Sequence, residues 1–129
     1  MKLPKPFKDV PVVTVTFKMQ TMPDSDPDLS YLEQDYNDVS PEERSRYCAQ
    51  DAARLAAYHA GEWYMLGVRA IADIEVRRMA YSTTYRLEST GLWGIESDSD
   101  DSYIKSVFAD QCAELKADIK AMRHAKVQS

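Results

Sequence analysis

The chain has 129 residues, a formal net charge of −5 and 44% hydrophobic residues, the size and composition of one folded domain around a single core. No stretch approaches the roughly 18 apolar residues that span a bilayer. Met1 to Asp9 carries lysines and prolines with no apolar run behind it, so a secretory leader is not expected either.

In chain order, residues 1–9 read as an extended arm, its start marked by Pro4 and Pro6. Val10 to Gln20 then alternates, with Val13, Val15, Phe17 and Met19 on one side and Thr14, Thr16 and Lys18 on the other, which predicts a half-buried strand. Residues 21–39 form a polar, acidic connection containing Pro23 and Pro27, with Tyr31, Leu32 and Tyr36 placed to pin it through one helical turn. Ser40-Pro41-Glu42-Glu43 is a helix start: a hydroxyl for the orphan N–H groups, proline at the first helical position, and carboxylates at the positive end of the dipole. The helix is expected to run to Ala60, burying Cys48, Ala52, Leu55, Ala56 and His59, and to stop at Gly61.

Glu62 to Arg77 predicts a second strand, with Tyr64, Leu66, Val68, Ala70, Ala72, Ile74 and Val76 on one face and a bulge at Gly67. Met79 to Glu88 predicts a third, joined to the second as an antiparallel hairpin because the connection is too short for a crossover. A last helix is expected from Asp98, as its cap, to His124, with Ile104, Val107, Phe108, Cys112, Leu115, Ile119 and Met122 buried. The fold class is α+β: a three-stranded, mainly antiparallel sheet with two α-helices on one face, in the order β-α-β-β-α, as one domain over residues 1–129. Cys48 and Cys112, far apart and each within an apolar helical pattern, are expected as buried reduced thiols, and the compartment as the cytoplasm.

Reactive constellations are not legible. His59 and His124, one late on each helix, are the only histidines, and no Ser, Cys and His set has the spacing of a nucleophilic triad. The four glycines stand apart and make no phosphate loop. Asp24-Ser25-Asp26-Pro27-Asp28 opens like a calcium loop, but the sixth position is Leu29 and the twelfth is Asp35. Asp98-Ser99-Asp100 starts similarly and has Ala109 at its twelfth position. No catalytic residue, metal ligand or cofactor is therefore assigned, and an enzyme is not expected.

Charge is distributed unevenly. Asp24, Asp26, Asp28, Glu33, Asp35 and Asp38 fall in one stretch without lysine or arginine, and Glu88, Glu96, Asp98, Asp100 and Asp101 in another. Such segments repel nucleic acid, whose phosphates need cations, and attract a basic protein surface if the fold brings them together. Trp93, between Gly91 and Gly94, is either a plug for the core or an anchor with a charged rim. The candidate partner-binding residues are Trp93, Glu96, Asp98, Asp100, Asp101, Asp24, Asp26 and Asp28.

The pieces Gly61-Glu62-Trp63-Tyr64, Val68-Arg69-Ala70-Ile71-Ala72-Asp73 and above all Gly91-Leu92-Trp93-Gly94-Ile95-Glu96-Ser97-Asp98-Ser99 resemble a group of small uncharacterised proteins of bacteriophages, prophages and other mobile elements. The resemblance covers about residues 40–122. It implies a setting, the bacterial cytoplasm among small inhibitors of host machinery such as anti-CRISPR and anti-restriction proteins. The aspartate-rich segment before Ser40 departs from the pattern.

Two functions of different class follow. The first is a non-enzymatic module that occupies a basic host protein surface. The second is a small enzyme or nucleotide-binding domain with a pocket between sheet and helices, using tyrosines, His59 and carboxylates. Self-association through the edge of the Val10–Gln20 strand, as a homodimer, is compatible with either.

Overall fold

The computed structural model describes residues 10–128, with side chains described to residue 122. The extended arm expected over residues 1–9 and the His124 side chain lie outside that range. The elements are β1 (Val12–Pro23), a single 3-10 turn (Ser30–Leu32), α1 (Pro41–His59), β2 (Met65–Arg77), β3 (Ser82–Glu88), β4 (Leu92–Glu96) and α2 (Asp101–Gln128). The class is α+β, with two helices and an open, fully antiparallel sheet of four strands.

β2 is the spine of the sheet. β1 pairs with it along its whole length, from Val12 opposite Arg77 to Pro23 opposite Leu66, without a break in register. The other side of β2 is shared: β3 pairs with Ile71 to Arg77, and β4 with Met65 to Val68. The third strand expected from the sequence is β3; β4 is a fourth, beyond its expected end, reached after the chain turns at Ser89-Thr90-Gly91. Gly91 takes a left-handed backbone, φ 87°, which turns the chain out of the ladder. Ser89 repairs the break: its N–H donates to the Ala70 carbonyl at 3.0 Å, and its buried Oγ accepts from the Ala70 N–H at 2.8 Å. The hydroxyl stands in for a carbonyl that the turn has carried away. Ser89→Ala should thus leave a buried N–H without a partner and cost on the order of 1 kcal/mol; a urea midpoint unchanged from the native one would refute this.

The core lies between one face of the sheet and α2. Val68, Ala70 and Ala72 are completely buried against Val107, Cys112 and Leu115, with Val15, Phe17, Leu87 and Phe108 at the margins. The alternation read in β1 and β2 is the one that faces this helix, and alanines at the centre allow a close approach of helix and sheet.

α1 is a correction. The sequence reading puts both helices on one face; only α2 lies there. α1 has no buried residue and turns Arg44, Tyr47, Cys48, Asp51, Arg54, Leu55 and Tyr58 inward, leaving Ala52, Ala56 and His59 exposed. Leu55 and Tyr58 pack with Leu32, Trp63 and Met65, and Met65 belongs to the row of β2 that α2 does not cover. Larger amphipathic side chains bury more area than an alanine row and keep their polar tips hydrated, so they take the inward stripe. Its ends are as expected: Ser40 Oγ accepts from the Glu43 N–H at 3.2 Å, and Gly61, φ 79°, closes the helix with Gly61 N–H to Tyr58 O and Glu62 N–H to Ala57 O, both 3.0 Å. Cys48 is partly exposed, contrary to expectation; Cys112 is buried, and burial raises its thiol pKa.

Candidate functional site

The two acidic segments meet at one end of the sheet. As β1 leaves the sheet, the Asp24 N–H donates to the Met65 carbonyl at 3.0 Å. As β4 leaves on the other side, the Ser97 N–H donates to the Tyr64 carbonyl at 2.8 Å, and Ser97 Oγ accepts from the Tyr64 N–H at 2.9 Å. Asp24–Asp28 and Glu96–Asp101 therefore flank the start of β2 from opposite sides, with exposed Tyr64 between them. The 3-10 turn lies across this end: Leu32 is buried, and the Tyr31 hydroxyl donates to Glu96 at 2.8 Å. The pinning of the acidic loop by Tyr31, Leu32 and Tyr36 is as read from the sequence, Tyr36 through its hydrogen bond to Asp51.

The carboxylates divide by role. Glu96 and Asp98 hold Arg54 of α1: the guanidinium donates twice to Asp98, at 2.8 and 2.6 Å, and also to Glu96. It lies 3.8 Å above the Trp63 ring, whose Nε1–H donates to the Arg54 carbonyl at 2.9 Å. The Arg54 hydrogen bonds hold Asp98 below the usual carboxylate range, and burial together with Glu96 holds the Tyr31 hydroxyl protonated far into alkali. Asp98 is thus not the cap of α2, which starts at Asp101; the Asp100 carbonyl accepts from the Ile104 N–H at 3.1 Å. Asp24 and Asp28 accept from the N–H groups of Asp26 and Ser30, fixing local turns. Asp26, Asp100 and Asp101 are exposed and have no ion-pair partner among the described residues. No three His, Cys, Asp or Glu side chains among the described residues are arranged to hold a metal ion.

Trp93 is on the face that α2 leaves open. It is 46% exposed, and its indole lies flat over Gly67, where an added Cβ would stand 2.7 Å from Cδ2 and Cζ3. The register of β2 and β4 shifts between Leu66 and Val68, where Gly67 alone faces Trp93 and Gly94. The bulge expected at Gly67 lies in β4 instead, and Gly67, in unbroken register with β1, seats the ring. Beyond Trp93 the open face is a ladder of opposite charges. Arg69 pairs with Glu88 at 3.1 Å and with Gln20, and Asp73 receives both Lys18 at 2.9 Å and Arg86 at 3.0 Å. These partners neutralise one another, and the two cations hold Asp73 below its ordinary pKa. Asp26, Asp100 and Asp101, which have no such partner among the described residues, belong to the segments at the Tyr64 end.

Arg54 and Tyr64 are the site residues not legible in the sequence, which places Tyr64 on the apolar face of the second strand where the structure leaves it exposed. Arg54 was legible only as one inward position of α1, and nothing in the sequence links it to Glu96 and Asp98. No helix among the described residues is long and apolar enough to cross a membrane. No family model, curated protein or solved structure matches the chain.

Proposed function

We propose that the protein is a small acidic binding module that grips a basic surface of another protein, without chemistry of its own. The observation that carries this reading is the convergence of two cation-poor segments, distant in sequence, on the two flanks of Tyr64. Carboxylates on one end add their fields and steer a cationic partner, whereas the same charges scattered would not. Trp93 and Tyr64 add half-exposed aromatic surface beside them, the composition of an interface anchor. The setting implied by the Gly91–Ser99 resemblance, a mobile element in the bacterial cytoplasm, makes a host defence or nucleic-acid-handling protein the proposed partner. Inhibition by occupying its basic surface is the proposed mode.

The test is affinity capture from bacterial lysate at low and high salt. A partner is expected that elutes as ionic strength rises, because exposed charge pairs are screened. Asp26→Lys/Asp100→Lys/Asp101→Lys should reduce its capture at least roughly tenfold. Its melt should shift only modestly, since Asp100 and Asp101 lie at the start of α2, where each reversal costs on the order of 0.3–1 kcal/mol. Undiminished capture by this folded variant defeats the reading.

A further inference from the structure

The outer edge of β1 is one margin of the sheet. Among the described residues nothing pairs with it, since β1 ends the sheet path. The pairing parity tells which groups it offers. Asp24 bonds to Met65 in the β1–β2 ladder, so the even-numbered residues of β1 face β2, and Val13, Val15, Phe17, Met19 and Thr21 turn their N–H and C=O groups outward. That row runs the full strand without a bulge or an internal proline, the devices that ordinarily blunt an edge. Lys18 is the only charge in β1, and Asp73 already holds it on the open face. The opposite margin of the sheet does not offer an equivalent template, because it is broken between β3 and β4 at Ser89–Gly91.

We infer that two copies join edge to edge through antiparallel β1 strands related by a two-fold axis at Thr16, making one continuous sheet with both α2 helices on the same side. This places Val15 opposite the partner's Phe17 and Val13 opposite the partner's Met19. The side chains of Val13 and Met19, 38% and 48% exposed in a single copy, then cover each other between the two helices. Lys18 falls opposite the partner's Thr14, so the two ammonium groups do not meet. The antiparallel arrangement also carries the acidic end of each copy away from that of its twin, so the two do not repel. A symmetric contact of this kind closes on itself and leaves no free copy of the same edge. It does not depend on the proposed function, whose site lies past the end of β1.

The mass in solution tests it. The native chain should run at twice its 14.7 kDa at tens of micromolar by light scattering. Val13→Pro removes one outward N–H without touching the β1–β2 ladder, and should run as one chain. Thr16→Cys, in a Cys48→Ser background, tests the register independently of Val13. Directly opposite residues in a non-hydrogen-bonded pair have Cα atoms about 4.5 Å apart, within disulfide reach. It should cross-link to a dimer under mild air oxidation, while Cys48→Ser alone does not. A native chain at single mass, a Val13→Pro variant still at double mass, or a Thr16→Cys variant that stays uncrosslinked overturns the inference.

Discussion

Gly67→Ala is expected to destabilise the native chain by about 1–3 kcal/mol, and to stabilise a chain that already carries Trp93→Ala. In the native chain the new methyl meets the flat of the indole at a separation no real contact sustains, so either the ring lifts off the sheet or β4 shifts. Neither adjustment is free, because Gly91 beside the ring is held by Gln111 and the bulge fixes the spacing of β4. Once the ring is gone, the three closest contacts of the new methyl go with it. Gly67 has no left-handed backbone, so alanine there restricts only the unfolded chain, a gain of about 0.4–1 kcal/mol. Four urea titrations of the cycle decide the matter. The same sign in both backgrounds would show that the indole does not rest on Gly67 in solution.

Arg54→Ala is the second large effect, a loss of about 2–3 kcal/mol. The two ion pairs are partly exposed and screened, so each is worth on the order of 0.5–1 kcal/mol. The stack on Trp63 adds about 1 kcal/mol, and the Arg54 side chain lies over a ring that is only 2% exposed with it in place. Other ties of α1, including the Leu55 and Tyr58 packing and the Tyr36–Asp51 hydrogen bond, bury none of its residues fully. The loss should depend on pH. Asp98 is held below its ordinary value in the folded protein, so its contribution is complete above the unfolded value near pH 3.9 and disappears as pH falls through the lower folded value. Melting temperatures of the native and Arg54→Ala chains should therefore draw together below about pH 4. A constant gap from pH 6 down to pH 2.5 would mean that stacking alone, without the carboxylates, holds α1.

Periodicity made β1, β2 and the buried stripe of α2 legible, because each covers a single wide apolar surface and repeats its signal many times. Ser40, Pro41 and Gly61 located α1 for a different reason: capping is chemistry within a few residues and needs no tertiary context. What failed needed that context. β4 is five residues long and holds a glycine with φ 75°, too short and too interrupted for alternation to register. The inward side of α1 was misjudged because its alanines look buried beside arginine and tyrosine, and the partners that recruit Arg54, Tyr58 and Asp51 come from distant segments. Asp98 reads locally as a helix cap, and only the arrival of Arg54 gives it another role. For the acidic residues, their signs were evident from the start, but their convergence depends on which strands flank Tyr64 and could not be counted along the chain.

The corner at Ser89–Gly91 has one more implication. Glu114 of α2 receives both the N–H and the hydroxyl of Thr90, at 2.8 and 2.7 Å, and Gln111 receives the N–H of Gly91, so this corner is moored to the helix on the far side of the sheet. Trp93 follows two residues later. A shift of α2 along the sheet would therefore strain three hydrogen bonds that end two residues short of the indole, on a helix the ring never faces.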